Sequence, residues 1–150
     1  MSEPRSDSDP TRESPSRIDE SARYPTNRVA AIVDTADQLT SAARALKTGG
    51  FLDSEIEVSC GEVAADVLNE SSGRTGLGHL AIRLAERLGI QNDEMAVKER
   101  YEKALRDDRF VILIAAPTDE RKKRAGQILH NNGAYFVNFL GRFAIEVLQP

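Results

Sequence analysis

The residues of this chain that could do chemistry are few and scattered. The densest group is Gly73-Arg-Thr-Gly-Leu-Gly78 followed by His79. A glycine-rich loop ahead of a helix lets backbone N–H groups approach a phosphate at the positive end of that helix, and Arg74 adds a full charge. Gly73, Arg74, Gly76, Gly78 and His79 therefore form the candidate site for a small anionic ligand. The spacing is neither G-x-G-x-x-G nor the lysine-bearing phosphate loop, and no strand precedes it, so it is not a nucleotide fingerprint. The plainer reading is a flexible connection.

The other reactive types are isolated. His79 and His130 are the only histidines, and neither has a second imidazole or a cysteine at metal-ligand spacing, so no metal or cofactor site is expected. His130 is placed to serve the C-terminal turn of its helix, where the dipole favours an imidazolium. Ser59-Cys60-Gly61 has the look of a nucleophile turn at a strand end, yet nothing local offers a base. Cys60 reads as a small, half-buried packing residue. Arg121-Lys-Lys-Arg124 is the one basic cluster, but on a helix its members spread over more than one face beside Asp119 and Glu120, as on a solvated surface.

Composition bounds what these residues can belong to. With 150 residues, 40% hydrophobic and 29% charged, the chain has the make-up of one globular domain. The formal charge of -4 argues against a large nucleic-acid or anionic-membrane surface. No apolar run reaches the length of a membrane span, no secretory signal is apparent, and a single cysteine fits a reducing compartment, so a cytoplasmic location is the expectation. Residues 1 to 27 nearly lack aliphatics and carry six acids against four bases; they read as a disordered acidic tail before one domain over residues 28 to 150.

The elements that must position any site come as a repeat. Val29-Ala-Ala-Ile-Val33 is a strand, Thr35 opens a helix with an apolar stripe at Leu39, Ala42, Ala43 and Leu46, and Gly49-Gly50-Phe51 ends it before a second strand, Glu55 to Ser59. At an offset of 83 (118 minus 35) the pattern recurs: Thr118 matches Thr35, Ala125 matches Ala42, Leu129 matches Leu46 and Gly133 matches Gly50. The second unit runs from the strand Phe110 to Ala115, through a helix whose charged first turns project into water, to the apolar run Ala134 to Leu140. Two βαβ units in tandem predict an α/β sandwich of the ferredoxin-like kind.

Between the units, residues 61 to 108 form an insertion that reads as mostly helical. Glu62 to Leu68 make a short helix, residues 71 to 78 a loop, and Leu77, Leu80, Leu84 and Leu88 line a second helix. A third, capped by Asn92 or Asp93, carries Met95 or Ala96, Val97, Tyr101, Ala104 and Leu105 inward and a charged face outward. After Leu140, Gly141-Arg142 separates a last apolar run, giving a hairpin or a bulged strand. Tyr135, Phe136, Phe139 and Phe143 concentrate here in a chain only 5% aromatic. They close the core, or they form in part an interface for a protein partner or a second copy.

The run Val33 to Val58, with its strand, helix, Gly50-Phe51 turn and Ile56-Glu-Val58 strand, resembles the N-terminal motif of bacterial general stress protein 17M-like, or heat-induced stress protein, domains. Tyr101-Glu-Lys-Ala-Leu105 leading into Phe110-Val-Ile-Leu113, and the later Gly133-Ala134, resemble that family's second half, so the likeness covers roughly residues 28 to 140. The resemblance implies a ferredoxin-like fold and a link to stress responses, with no catalytic residues to carry over. The polar, helical insertion here stands where relatives often have a glycine-rich apolar one, so membrane association does not carry over. The expectation is a non-catalytic module acting through a partner or as a homodimer, with binding of a small anion at Gly73 to His79 as the alternative.

Overall fold

The computed structural model describes residues 27–75, 81–84, 95–142 and 144–150. The elements are β1 (Arg28–Val33), α1 (Ala36–Thr48), a 3-10 turn (Asp53–Glu55), β2 (Ile56–Cys60), α2 (Glu62–Thr75), β3 (Ala81–Leu84), α3 (Met95–Arg106), β4 (Phe110–Ala115), α4 (Asp119–Asn131), β5 (Tyr135–Leu140) and β6 (Ile145–Val147). Among the described residues they build a mixed α/β sandwich around one six-stranded sheet of order β3-β2-β4-β1-β5-β6.

The four repeat strands interleave. β1 and β2 are each antiparallel to β4, which lies between them, and β4 and β5 are each antiparallel to β1. Each βαβ unit is thus split by a strand of the other. The helix signals sit where the sequence offset puts them: the Thr35 hydroxyl accepts from the Gln38 amide at 3.1 Å and the Thr118 hydroxyl from the Arg121 amide at 3.2 Å. Both helices end on a glycine at positive φ, Gly50 at 103° and Gly133 at 85°, with Phe51 and Ala134 donating back to the Leu46 and Leu129 carbonyls.

β1 and β4 are apolar on both sides because both sides of the sheet are covered. Val29, Ala31, Val33, Phe110, Ile112 and Ile114 face α1, α2 and α4, meeting Leu39, Leu46, Ala64, Leu68 and Leu129. Ala30, Ile32, Val111 and Leu113 face the other way, onto Tyr101, Ala104 and Leu105 of α3. The insertion therefore supplies a third layer. Tyr101 is fully buried in it; its hydroxyl donates to the Phe136 carbonyl at 2.8 Å, lies 3.1 Å from that of Ala30, and accepts from Asn138 Nδ2 at 2.9 Å. The Phe136 carbonyl is available because β5 bulges against β1 between Ala30 and Ile32, with Phe136 at a φ of 52°.

Several expectations are corrected. The stretch expected as the Leu77-to-Leu88 helix contains β3, paired in parallel with β2 over Glu57–Cys60. The open edge of β2 and the Arg83–Glu57 ion pair at 3.1 Å favour an extended Ala-Ile-Arg-Leu over a helix, a tertiary preference that local periodicity does not record. The short helix from Glu62 runs on to Thr75, so Gly73 and Arg74 are helical and not part of a loop. One glycine costs a helix only about 1 kcal/mol relative to alanine, too little to stop a helix already propagating. Cys60 is wholly buried, not half-buried. After Gly141 the chain forms a hairpin, with Leu140 opposite Ile145 and Asn138 opposite Val147.

Candidate functional site

Strand register brings three polar residues together at one end of the sheet. Val33 of β1 pairs with Phe110 of β4, so Asp34 and Arg109 lie side by side just past that pair; Ile32 pairs with Tyr135, the first residue of β5. Ile32 faces α3 and Val33 faces away, so strict alternation sends Asp34 to the α3 side, and the same count from Phe110 sends Arg109 there. The Tyr135 hydroxyl donates to Asp34 Oδ1 at 2.6 Å and accepts from Arg109 Nη1, and that guanidinium lies 3.2 Å from the same carboxylate oxygen.

α3 lays a second set of charges over this trio. Arg100, Lys103 and Ala104 of α3, and Asp107 just past its last residue, recur at i, i+3, i+4 and i+7, beside the buried Tyr101 and Leu105. With Ile32, Arg109 and Tyr135 they line a notch of about 170 Å³ whose lining includes three cations and one carboxylate. Lys103 is engaged by Asp107 at 2.7 Å. Arg100 lies over the Phe136 ring, 4.5 Å from its centroid, and has no carboxylate partner among the described residues. Stacking leaves its N–H edges open to a ligand.

The charge states are firmly held. The Tyr135 hydroxyl is pushed up, first by burial and then by donating to Asp34, which outweighs the opposing guanidinium. The hydrogen bond to Tyr135, with Asp34 nearby, raises Arg109, and the hydrogen bond from Lys103 lowers the Asp107 carboxyl. Each of these shifts carries the group's titration further from pH 7, the reverse of what proton transfer at that pH requires. Tyr135 is thus a hydrogen-bonding phenol and Arg109 a permanent cation.

The residues singled out from sequence fall elsewhere. Gly73 and Arg74 belong to the last turn of α2, whose exposed backbone groups are carbonyls, the wrong polarity for an anion. Gly76, Gly78 and His79 lie outside the described residues, as does Phe143. Tyr135 and Phe136 pack on the α3 side of the sheet, and Phe139 on the α4 side beneath Lys122, 4.8 Å from its ring centroid. The aromatics thus divide between two cores. Burial raises the Cys60 thiol, which keeps it from acting as a thiolate. His130 Nε2 meets the Leu148 carbonyl at 2.9 Å, tying the C-terminal segment to α4.

Three members of the basic cluster are pinned, while Lys123 is exposed as on a solvated face. Arg121 binds Glu55 at 2.7 Å and lies 4.2 Å from the Phe51 ring centroid, Lys122 binds Glu146 at 2.8 Å, and Arg124 donates to the Gly49 carbonyl at 3.3 Å. Asp34, Arg100, Lys103, Asp107 and Arg109 were not among the sequence candidates. The only signal was the i, i+3, i+7 charge stripe on α3, which a solvated helix face produces equally well. Among the described residues no group of three His, Cys, Asp or Glu side chains is placed to hold a metal ion, and no helix is long and apolar enough to cross a membrane. The chain matches no protein-family model, no curated protein and no solved structure.

Proposed function

We propose that this domain is a non-catalytic binding module that takes a small phosphate or carboxylate anion in the notch between α3 and the end of the sheet. One observation carries the reading: Arg100, Lys103 and Arg109 converge with Tyr135 on one concavity, and among the described residues no anion neutralises Arg100. Guanidinium groups match the planar oxygen pairs of carboxylates and phosphates. A volume near 170 Å³ equals about five or six waters and falls below the ~300 Å³ typical of pockets for larger ligands, so the class is an inorganic anion or the acidic end of a small metabolite.

The test is a titration of the full chain with inorganic phosphate and, separately, acetate, followed by arginine side-chain and backbone amide NMR shifts. Saturable shifts at Arg100, Arg109 and Tyr135, abolished in Arg100→Ala/Lys103→Ala, support the site, and the tighter of the two probes identifies the anion chemistry. Linear, unsaturable shifts with both probes, or saturation unchanged in the double variant, would remove it.

A second reading, self-association within a stress-related role, draws support from a different place. β3 ends the sheet, and Ile82 and Leu84 on it are 39% and 62% exposed, beside Val63 and Val67 of α2 at 58% and 46%. Pairing of two β3 edges about a twofold axis would bury this apolar set. Sedimentation analysis decides it: a dimer that dissociates in Leu84→Lys supports the reading, and a monomer at high micromolar concentration ends it.

A further inference from the structure

We infer that Asp34 is a built-in competitor for the anion at the notch, holding Arg109 and Tyr135 until a ligand displaces it. This rests on the anion-binding reading above and adds a regulating residue to it.

Three observations converge. First, a single oxygen, Asp34 Oδ1, gathers both donors, the Tyr135 hydroxyl at 2.6 Å and Arg109 Nη1 at 3.2 Å. It occupies the position an incoming carboxylate or phosphate oxygen would take between a phenol and a guanidinium. Second, Arg109 and Tyr135 line the notch while Asp34 does not, and its side chain is 48% exposed, so the carboxylate can swing away without opening either core. It directly precedes the Thr35 N-cap of α1, where the positive end of the helix favours a released carboxylate. Third, Arg100 meets no carboxylate among the described residues, so an anion can settle against it before contesting Arg109. Asp107 also faces the notch, but its grip on Lys103 is a local i, i+4 surface pair on one helix, whereas Asp34 joins β1 to the starts of β4 and β5.

The consequence is that removing an acid should improve the site. Asp34→Asn keeps the size and a hydrogen-bonding oxygen but gives up the charge. Because the pair is half exposed, the expected gain in affinity for inorganic phosphate is about three-fold. The control is Asp37→Asn, which deletes the same charge from the exposed first turn of α1 without touching Arg109. Screening at physiological salt should hold its effect to less than about 1.5-fold. Phosphate titrations of wild type, Asp34→Asn and Asp37→Asn by arginine side-chain NMR give the answer. Tighter binding in Asp34→Asn alone bears the inference out. Equal gains in both variants would reduce the effect to net charge and overturn it. An unchanged or weaker Asp34→Asn beside a wild type that binds would overturn the competitor and leave the anion site standing. No saturation in any of the three would overturn both.

Discussion

The hydroxyl of Tyr101, midway along α3, donates to the carbonyl of Phe136 across 2.8 Å and so locks the inserted helix onto a bulge in β5, 35 residues away. The same oxygen accepts from Asn138 Nδ2 at 2.9 Å, and neither Tyr101 nor Asn138 is more than 1% exposed. Removing the hydroxyl takes one hydrogen bond from the Phe136 carbonyl and one from the Asn138 amide, leaving only the Asn138 Nδ2 bond to that carbonyl at 3.2 Å. Tyr101→Phe should therefore cost about 1–3 kcal/mol in urea unfolding with little change in the slope. Paired with Asn138→Ala in a double-mutant cycle, the two losses should be sub-additive by at least about 0.5 kcal/mol. Full additivity would mean that the network is not acting as one unit.

Tyr101 also gives the fold a limit in alkali. Burial holds its hydroxyl well above the ordinary value of 10.0, outweighing the lowering effects of Asn138 and Arg100. Its folded form therefore keeps a proton that the unfolded form loses. Stability from this group is intact below about pH 10 and falls as pH rises beyond it, at up to about 1.4 kcal/mol per unit. Tyr135, also raised, pulls in the same direction. Unfolding free energies measured from pH 8 to 11 should drop more steeply in wild type than in Tyr101→Phe. Parallel curves would show that the tyrosine is not the linked group.

Arg121 serves the fold through shape as much as charge. It meets Glu55 at 2.7 Å and covers the Phe51 ring at 4.2 Å, joining α4 to the turn that follows α1. Arg121→Ala should cost about 1–2 kcal/mol by thermal or chemical unfolding, and Arg121→Lys should recover less than half of that, because an ammonium cannot stack as a flat guanidinium does. Full rescue by lysine would assign the effect to charge alone.

The two repeat glycines should be costly to replace, but unequally. Gly50 and Gly133 both hold positive φ, so alanine at either should cost about 1–2 kcal/mol in strain. At Gly50 a methyl group would find its nearest neighbour, Arg124 Nη1, at 3.7 Å, an ordinary contact. At Gly133 it would come within 3.1 Å of Gln38 Nε2. Gln38 Oε1 accepts from the Asp34 amide at 3.2 Å, so Gly133→Ala should be the more damaging and should shift the Asp34 amide resonance, while Gly50→Ala should leave it in place.

The sequence by itself determined the repeat and its punctuation. Thr35 and Thr118 as caps, Gly50 and Gly133 as helix ends, and the apolar faces of α1 and α4 are local matters, settled by side chains within one or two turns of the backbone groups they serve. The uninterrupted apolar strands β1 and β4 likewise announced burial on both faces. Tertiary structure alone decided what covers the second face, because α3 reaches the sheet through Tyr101 and the Phe136 bulge, a pairing no periodicity encodes. It alone turned Ala81–Leu84 into a strand, since the open edge of β2 exists only once the sheet is built. The notch came from the same source: Asp34, Arg109 and Tyr135 are neighbours through strand register, and Arg100 and Lys103 join them through helix docking. In the sequence four of these five are ordinary surface residues and Tyr135 stands among the interface aromatics; they lie up to 101 positions apart, and only sheet pairing and helix docking bring them together.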